Sequence, residues 1–83
     1  MIKSTRYFEE QVLRKRPYIL RAWIKAVIAN PVRREMQADG RIRCWGRVRI
    51  DGESMDRFLR VVLLEDDETV HNAFLDRDFR EKV

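Results

Sequence analysis

The stretch Arg41–Ile50, RIRCWGRVRI, decides the fold of this chain. Its residues alternate in kind, and side chains along a β-strand point to opposite faces in turn. A helix would scatter the arginines around its circumference, so a period of two predicts a strand. One face carries Arg41, Arg43, Trp45, Arg47 and Arg49, and the other carries Ile42, Cys44, Gly46, Val48 and Ile50. The glycine on the apolar face predicts a place where another element packs closely.

The charged face of this strand suggests a function. Four guanidinium groups on one face repel one another, and an anionic partner or acidic neighbours would relieve that repulsion. Guanidinium groups fit phosphate oxygens, and an indole stacks on nucleobases. We therefore predict a nucleic-acid-binding surface made of Arg41, Arg43, Trp45, Arg47 and Arg49. A second interpretation of Trp45 is a cover for the aliphatic stems of its neighbours.

The charge of the chain is distributed unevenly along its 83 residues. Residues 1–49 hold 13 Lys and Arg against 4 Asp and Glu, whereas residues 50–83 hold 5 against 10. The net charge of +4 therefore combines a strongly basic first part with an acidic second part. This asymmetry predicts a basic binding surface with acidic loops elsewhere. The alternative is a well-solvated surface on a very charged small protein.

The composition predicts a single domain over residues 1–83 and excludes several classes of protein. Cys44 is the only cysteine, so no internal disulfide can form, and the N-terminal residues lack the apolar core of a signal peptide. No apolar run approaches the roughly 18 residues that span a bilayer. The sequence therefore predicts a cytoplasmic protein without a membrane partner. It offers too few His and Cys ligands for zinc and no glycine-rich phosphate loop, so we predict no metal and no cofactor.

Two helices are predicted before the arginine-rich strand. Glu9–Lys15 has acids in its first turn, where the helix dipole favours them, and Pro17 ends it. Tyr18–Ala29 has a broad apolar surface and ends before Pro31. Thr5–Phe8 is either a short extra N-terminal strand or the start of the first helix.

Three further strands are predicted, at Val32–Ala38, Arg57–Leu64 and Thr69–Leu75. Asp39-Gly40 is a strong signal for a tight hairpin between the first strand and the arginine-rich strand. The prediction is an α+β domain, in which two N-terminal helices pack on one face of a twisted four-stranded antiparallel sheet.

The register of the sheet can be predicted from its turns. Symmetric closure of the Asp51–Asp56 loop places Trp45 opposite Val62 and Arg47 opposite Arg60. Closure of the Glu65–Glu68 turn places His71 opposite Val62, and Ala73 opposite Arg60. On this register His71 lies near Trp45 and Arg60 on the face away from the helices, and Asn72 points inward.

Catalysis is predicted at Arg60, His71 and Arg77. His71 is the only histidine, and its ordinary pKa suits proton transfer near neutrality. Arginines beside it would favour the neutral imidazole and stabilise charge on a phosphate. Arg77 follows the last strand, where it either pairs with Asp76 or curls back to the open side of the sheet. A structural role for this lone histidine stays open, because a single residue carries no spacing information.

Five short motifs extend the interpretation: Asn30-Pro31, Gly40-Arg41, Trp45-Gly46, Leu59–Val62 and His71–Phe74. As a set they resemble small bacterial proteins of the RelE/ParE toxin superfamily, with the BrnT-like branch nearest, over roughly Thr5 to Phe79. The resemblance implies two helices on a twisted antiparallel sheet and the toxin of a type II toxin–antitoxin pair. Such toxins often cleave mRNA without metal, on the ribosome in some cases, and are silenced by a small acidic antitoxin protein.

On this resemblance the residues to test are Arg43, Arg60, His71 and Arg77. The chain departs from the superfamily's ribonucleases, which commonly use lysine, arginine and tyrosine near the C-terminus, because its only tyrosines are Tyr7 and Tyr18. Two alternatives stay open beside the endoribonuclease. One is a non-catalytic module that binds RNA or DNA, and the other is a subunit whose basic face binds an acidic protein.

Overall fold

A computed structural model describes residues 2–81, and Met1, Lys82 and Val83 lie outside the described part. Helix α1 comprises a π-helical turn, Phe8–Val12, and the α-helical turn Leu13–Lys15 that continues it. Helix α2 spans Arg21–Ala29. It starts later than predicted because Leu20 is extended, with φ −89° and ψ 138°. No helix within residues 2–81 is long and apolar enough to cross a bilayer.

Four strands form one antiparallel sheet in the order β1-β2-β3-β4, which confirms the predicted α+β fold. The strands are β1 (Arg33–Met36), β2 (Ile42–Val48), β3 (Arg57–Leu63) and β4 (Val70–Leu75). Each lies within its predicted range. Of the two alternatives for Thr5–Phe8, the start of the first helix is confirmed and the extra strand is wrong, since these residues lead into α1. The chain just before them makes a single parallel bridge, from Ser4 to Val70.

One face of the sheet and the two helices enclose the core. The predicted apolar face of β2 contributes Ile42, Cys44 and Val48 to this core, and Leu59 and Val61 of β3 are fully buried beside them. The buried cluster consists of Phe8, Val12, Ile19, Ile24 and Val27 from the helical side, with Ile42, Cys44, Val48, Leu59, Val61, Leu63, Val70 and Ala73 from the sheet. The charged side chains of the described residues are therefore left for the other face of the sheet, the outer surfaces of the helices, the edges and the loops.

Gly46 is the point where α2 approaches the sheet most closely. A Cβ atom at this position would lie 2.7 Å from Cγ2 of Val27, closer than carbon atoms pack. The close packing that the sequence predicted at this glycine is confirmed. Because Gly46 lies between Trp45 and Arg47, the helix contact also fixes which face those two side chains take.

The predicted register of β2 and β3 was wrong by two residues. Trp45 lies opposite Arg60, and Arg47 lies opposite Phe58. The loop does not close symmetrically, because β2 ends at Val48, which pairs with Arg57. A shift of two leaves every side chain on its predicted face, since the period of a strand is two.

The predicted register of β3 and β4 holds near the turn and fails beyond it. Leu63 pairs with Val70 as predicted, but a β-bulge follows, and Val62 pairs with Asn72. The extra residue in β4 is His71, which has no partner directly opposite in β3. After the bulge, each residue of β4 lies on the face opposite to the predicted one. Asn72 was predicted to point inward but lies beside Val62 on the outer face, and Ala73 is buried opposite Val61.

Candidate nucleic-acid interface

The side of the sheet away from the helices, the open face, carries residues from all four strands, most of them aromatic or charged. These are Arg33, Glu35, Arg43, Trp45, Arg47, Phe58, Arg60, Val62, Asn72 and Phe74. Three residues predicted for the nucleic-acid surface, Arg43, Trp45 and Arg47, are therefore together on one face. Arg60 joins them directly, because it lies opposite Trp45.

Trp45 is not available for stacking on a base. Only 4% of the residue is exposed, and its indole lies parallel to the Phe79 ring at 17°, with the ring centroids 5.0 Å apart. The indole Nε1 donates a hydrogen bond of 2.9 Å to Oδ2 of Asp76. The prediction of Trp45 as a stacking platform was wrong. Its interpretation as a packing residue agrees with the structure, and the chain supplies the stacking partner itself.

Asp76–Glu81, the C-terminal cover, extends over one end of the open face. Its start is fixed to β3 by a hydrogen bond of 2.8 Å from the Asp76 N–H to the Phe58 carbonyl. Phe79 also packs against Phe58, at 4.9 Å between ring centroids, and Glu81 forms an ion pair with Arg47. The cover therefore neutralises one arginine of the predicted surface and buries the aromatic residues around it.

Arg60 is held between two rings. Its Cζ lies 5.3 Å from the Trp45 ring centroid and 4.9 Å from that of Phe74. Its Nε is buried, lies 3.2 Å from Oδ2 of Asp76 and makes no hydrogen bond of good geometry. Such stacking fits a guanidinium with little access to water. Arg60 thus holds the open face together, and its predicted catalytic role stays a prediction.

Burial tends to raise the pKa of the Asp76 carboxyl, but the groups around it more than compensate. The Trp45 indole and the backbone N–H of Asp78 donate to it, and the positive charge of Arg60 is adjacent. The pKa of Asp76 is therefore lower than that of an ordinary aspartic acid. The carboxylate stays charged at neutral pH and acts as an anion built into the open face.

The other end of the sheet is free of the cover, and His71 lies there. Its Nδ1 is 3.1 Å from the hydroxyl oxygen of Thr5, which also accepts a hydrogen bond from the Phe8 N–H. The imidazole stacks on Tyr7, with ring centroids 5.0 Å apart and an angle of 29°. Partial burial lowers the pKa of His71, and the charge of Arg41 lowers it further. The imidazole is therefore neutral at pH 7, as the sequence predicted.

Two arginines of the predicted surface lie at this end, and they have no acidic partner within residues 2–81. Arg41 is close enough to His71 to affect its pKa. The guanidinium of Arg43 faces the side-chain amide of Gln37, whose oxygen accepts from Nε and Nη2 at 2.6 and 2.5 Å in the orientation that satisfies both groups. Arg16, at the end of α1, lies over the Phe74 ring at 5.8 Å. Phe74 pairs with Arg60 in the row of Trp45, so the uncovered end is defined by Tyr7, Arg41, Arg43 and His71.

Arg49 and Arg77 lie away from the uncovered end. Arg49 follows β2 and pairs with Asp56 at 3.3 Å. Arg77 comes after β4, whereas His71 is near its start. Most of β4 lies between them, because the strand runs on from His71 to Leu75 for roughly 13 Å at about 3.3 Å per residue before Arg77 is reached. The predicted grouping of Arg77 with His71 in one catalytic site is therefore not formed.

Ion pairs between the two halves of the chain account for much of the charge asymmetry. They join Lys3 to Glu68, Arg34 to Asp67, Arg47 to Glu81, and Arg49 to Asp56. The sequence predicted acidic loops away from a basic surface, but three acids of the second half, Asp56, Asp67 and Glu81, pair with arginines of the first. The arginines without an acidic partner within residues 2–81 include Arg41 and Arg43, which lie at the uncovered end.

Comparisons of the chain with protein-family models, curated proteins and solved structures found no match. The resemblance to the RelE/ParE superfamily therefore stays a prediction. Within residues 2–81, no group of three His, Cys, Asp or Glu side chains lies close enough to hold a metal ion.

Four residues that matter to this surface were missed by sequence reasoning: Thr5, Tyr7, Arg16 and Phe79. The first three come from the N-terminal segment and α1, which reach the edge of β4 only in the folded chain. Phe79 had a visible signal, because it is an isolated aromatic residue in a polar tail. An exposed phenylalanine there is costly, so it needs an apolar surface to cover.

Proposed function

We propose that this protein binds single-stranded RNA at the uncovered end and cleaves it, as the endoribonuclease toxin of a toxin–antitoxin pair. The observation that carries the proposal is the grouping of a neutral imidazole, His71, with Arg41 and an exposed aromatic ring, Tyr7. Tyr7 is about half exposed, so its free side is available for a base. Arg41 and Arg43 supply positive charge for the phosphates.

The chemistry proposed for His71 is general-base catalysis. The imidazole takes the proton from a ribose 2′-hydroxyl, whose oxygen forms a bond to the adjacent phosphorus. The bond from phosphorus to the 5′-oxygen breaks, and that oxygen takes a proton from water. Because Nδ1 faces Thr5, Nε2 is the nitrogen that would meet the substrate. Arg41 would stabilise the charge that develops on the phosphate.

The test is induced expression in a bacterial host, followed by mapping of RNA ends and by assays of the purified protein on synthetic RNA. We expect growth arrest and new RNA ends. His71→Ala should lower the cleavage rate by about 10²–10⁴-fold, the usual contribution of a general acid or base. Arg49→Ala is the matched control, because this arginine is paired with Asp56 outside the uncovered end. Full toxicity of His71→Ala would show that the site is wrong.

Arg60→Ala is a poor probe of catalysis in this protein. The Arg60 side chain is packed between Trp45 and Phe74, so its removal should weaken the fold as well as any activity. The double variant Arg41→Ala/Arg43→Ala tests phosphate binding more cleanly. In this variant the slope of log affinity against log salt concentration should become less steep by about 0.7 for each phosphate contact that is lost.

A non-catalytic RNA-binding module is the second candidate, and one observation favours it. The contacts of His71 with Thr5 and Tyr7 are those of a histidine that holds the N-terminal segment to β4. Salt-sensitive RNA binding that yields no cleavage product would select this candidate over the first.

An acidic protein partner, such as an antitoxin, is compatible with either candidate. The chain's own Asp76 and Glu81 already pair with Arg60 and Arg47 at the covered end. An acidic segment of a partner would find equivalent groups, Arg41 and Arg43, at the uncovered end. Co-purification with a small acidic protein encoded by a neighbouring gene, and loss of that complex in Arg41→Ala/Arg43→Ala, is the expected result.

A further inference from the structure

A second concave site lies at the end of the sheet opposite His71, on the side of the helices. It is a groove of about 430 Å³, within the range of small-molecule sites. Tyr18 and Trp23 line it from the α2 side, and Leu75 of β4 forms part of its floor. Leu75 pairs with the buried Leu59, so the groove belongs to the helix side of the sheet and is separate from the open face.

The polar groups of this groove are mostly cationic. Arg57 and Arg77 line it, with Glu53 as its one acid. Glu53 interacts only weakly with Arg57, since Nη1 lies 3.4 Å from each carboxylate oxygen. Arg77 is exposed and makes no ion pair within residues 2–81. The groove therefore keeps a net positive charge and has at least one guanidinium free to bind an anion.

Aromatic and cationic groups together select the kind of ligand. Tyr18 is about half exposed, so its ring offers a surface on which a planar group can stack. Arginine adds planar recognition of phosphate oxygens. Neither an aliphatic anion nor an uncharged aromatic molecule would use both features, whereas a base that carries a phosphate would.

We propose that this groove is a nucleotide-binding site, which takes a nucleoside monophosphate or the phosphorylated terminal nucleotide of an RNA. Tyr18 and Trp23 contact the base, and Arg77, with Arg57, binds the phosphate. This assigns to Arg77 a function apart from His71, from which it is separated by the length of β4. The proposal does not depend on RNA cleavage at the uncovered end.

The test is a titration of the full chain with AMP. Binding is monitored by tryptophan fluorescence and by NMR of the backbone amides. Trp23 lines the groove, whereas Trp45 is buried, so a ligand-dependent change should report on Trp23. We expect saturable binding of AMP. Binding of adenosine or inorganic phosphate alone should be at least about tenfold weaker, because each lacks one of the two recognised groups.

Arg77→Ala should weaken AMP binding by about tenfold or more, the usual effect of removing a charged hydrogen-bond donor. Arg14→Ala is the matched control, because Arg14 is an exposed arginine that does not line the groove, whereas Arg80 donates a hydrogen bond to the Arg77 carbonyl and is not independent of it. His71→Ala should bind AMP like the parent chain, which separates this proposal from the proposed catalytic site. Both arginine variants replace exposed side chains, so their folds should be intact by circular dichroism.

Two results would overturn the proposal: no saturable response to AMP at concentrations on the order of 10 mM, or an equal loss of affinity in Arg77→Ala and Arg14→Ala. The natural form of the ligand follows from competition. A short 5′-phosphorylated RNA that displaces AMP identifies the terminal nucleotide of an RNA as the occupant. AMP binding that the RNA leaves unchanged identifies the free mononucleotide. Both of these results support the proposal.

Discussion

Replacement of Phe79 by alanine should release the C-terminal cover and destabilise the protein. The Phe79 ring is 9% exposed and contacts two other rings, those of Trp45 and Phe58. Burial of a phenylalanine side chain contributes about 1.5–3 kcal/mol, and each aromatic pair adds about 0.5–1.5 kcal/mol. The surface segment around Phe79 can relax in part after the truncation, so we expect a loss of about 3 kcal/mol in the free energy of unfolding.

The measurement is urea and thermal unfolding of the parent chain and Phe79→Ala. A loss of about 3 kcal/mol corresponds to a fall of roughly 12–24 °C in Tm for a domain of this size. Acrylamide quenching of tryptophan fluorescence should increase, because Trp45 loses its stacking partner. Phe79→Leu keeps an apolar side chain, so its stability should lie between those of the parent chain and Phe79→Ala. Met55→Ala, at an exposed position, is the control.

A specific result would refute this reasoning. If Phe79→Ala unfolds within about 0.5 kcal/mol of the parent chain, as a surface substitution does, and its tryptophan quenching is unchanged, the cover does not stabilise the open face. The burial of Trp45 would then have another cause, and the exclusion of Trp45 from nucleic-acid binding would need to be revised.

Three further outcomes are expected. Gly46→Ala should cost about 1–3 kcal/mol in urea unfolding, because its methyl group would overlap Val27, and the added change Val27→Ala should recover part of that loss. Asp76 has a lowered pKa, so its contribution to stability is complete above the ordinary Asp pKa of about 3.9 and is lost as the pH falls through the lower folded value. Asp76→Asn should therefore be less stable than the parent chain near neutral pH, and the difference should shrink in acid unfolding curves. The pKa of His71 measured by NMR should lie below the ordinary value of 6.5, and in Arg41→Ala it should lie closer to that value. A midpoint above 6.5 in the parent chain would contradict the burial and charge effects at this site.

The fold was largely predictable because its signals are local. The period of two in Arg41–Ile50, the hairpin signal at Asp39-Gly40 and the apolar surface of α2 each depend on neighbouring residues. Element ends were less predictable. Helix α2 begins at Arg21 because Leu20 is extended to join it to α1, which is a property of the packed helices.

The candidate site was predicted in part. The sequence placed Arg43, Trp45, Arg47 and Arg60 on one face correctly, because a register error of two residues preserves the faces of a strand. The sequence also grouped these residues with His71, but that grouping assumed a β3–β4 register without the bulge. A bulge is one extra residue accommodated by the whole sheet, so no short stretch of sequence signals it.

The sequence alone determined which residues of β2 meet the core, because the alternation of apolar and charged side chains leaves only one face of this strand that can be buried. Only the tertiary structure decided which arginines stay free for a ligand. That outcome depends on where distant segments return to the sheet. Asp76 and Glu81 meet Arg60 and Arg47, whereas Tyr7 reaches His71 and leaves Arg41 and Arg43 without an acid in the described chain. Pairing between charges distant in sequence is a property of three-dimensional proximity, and composition sets only how many charges there are to pair.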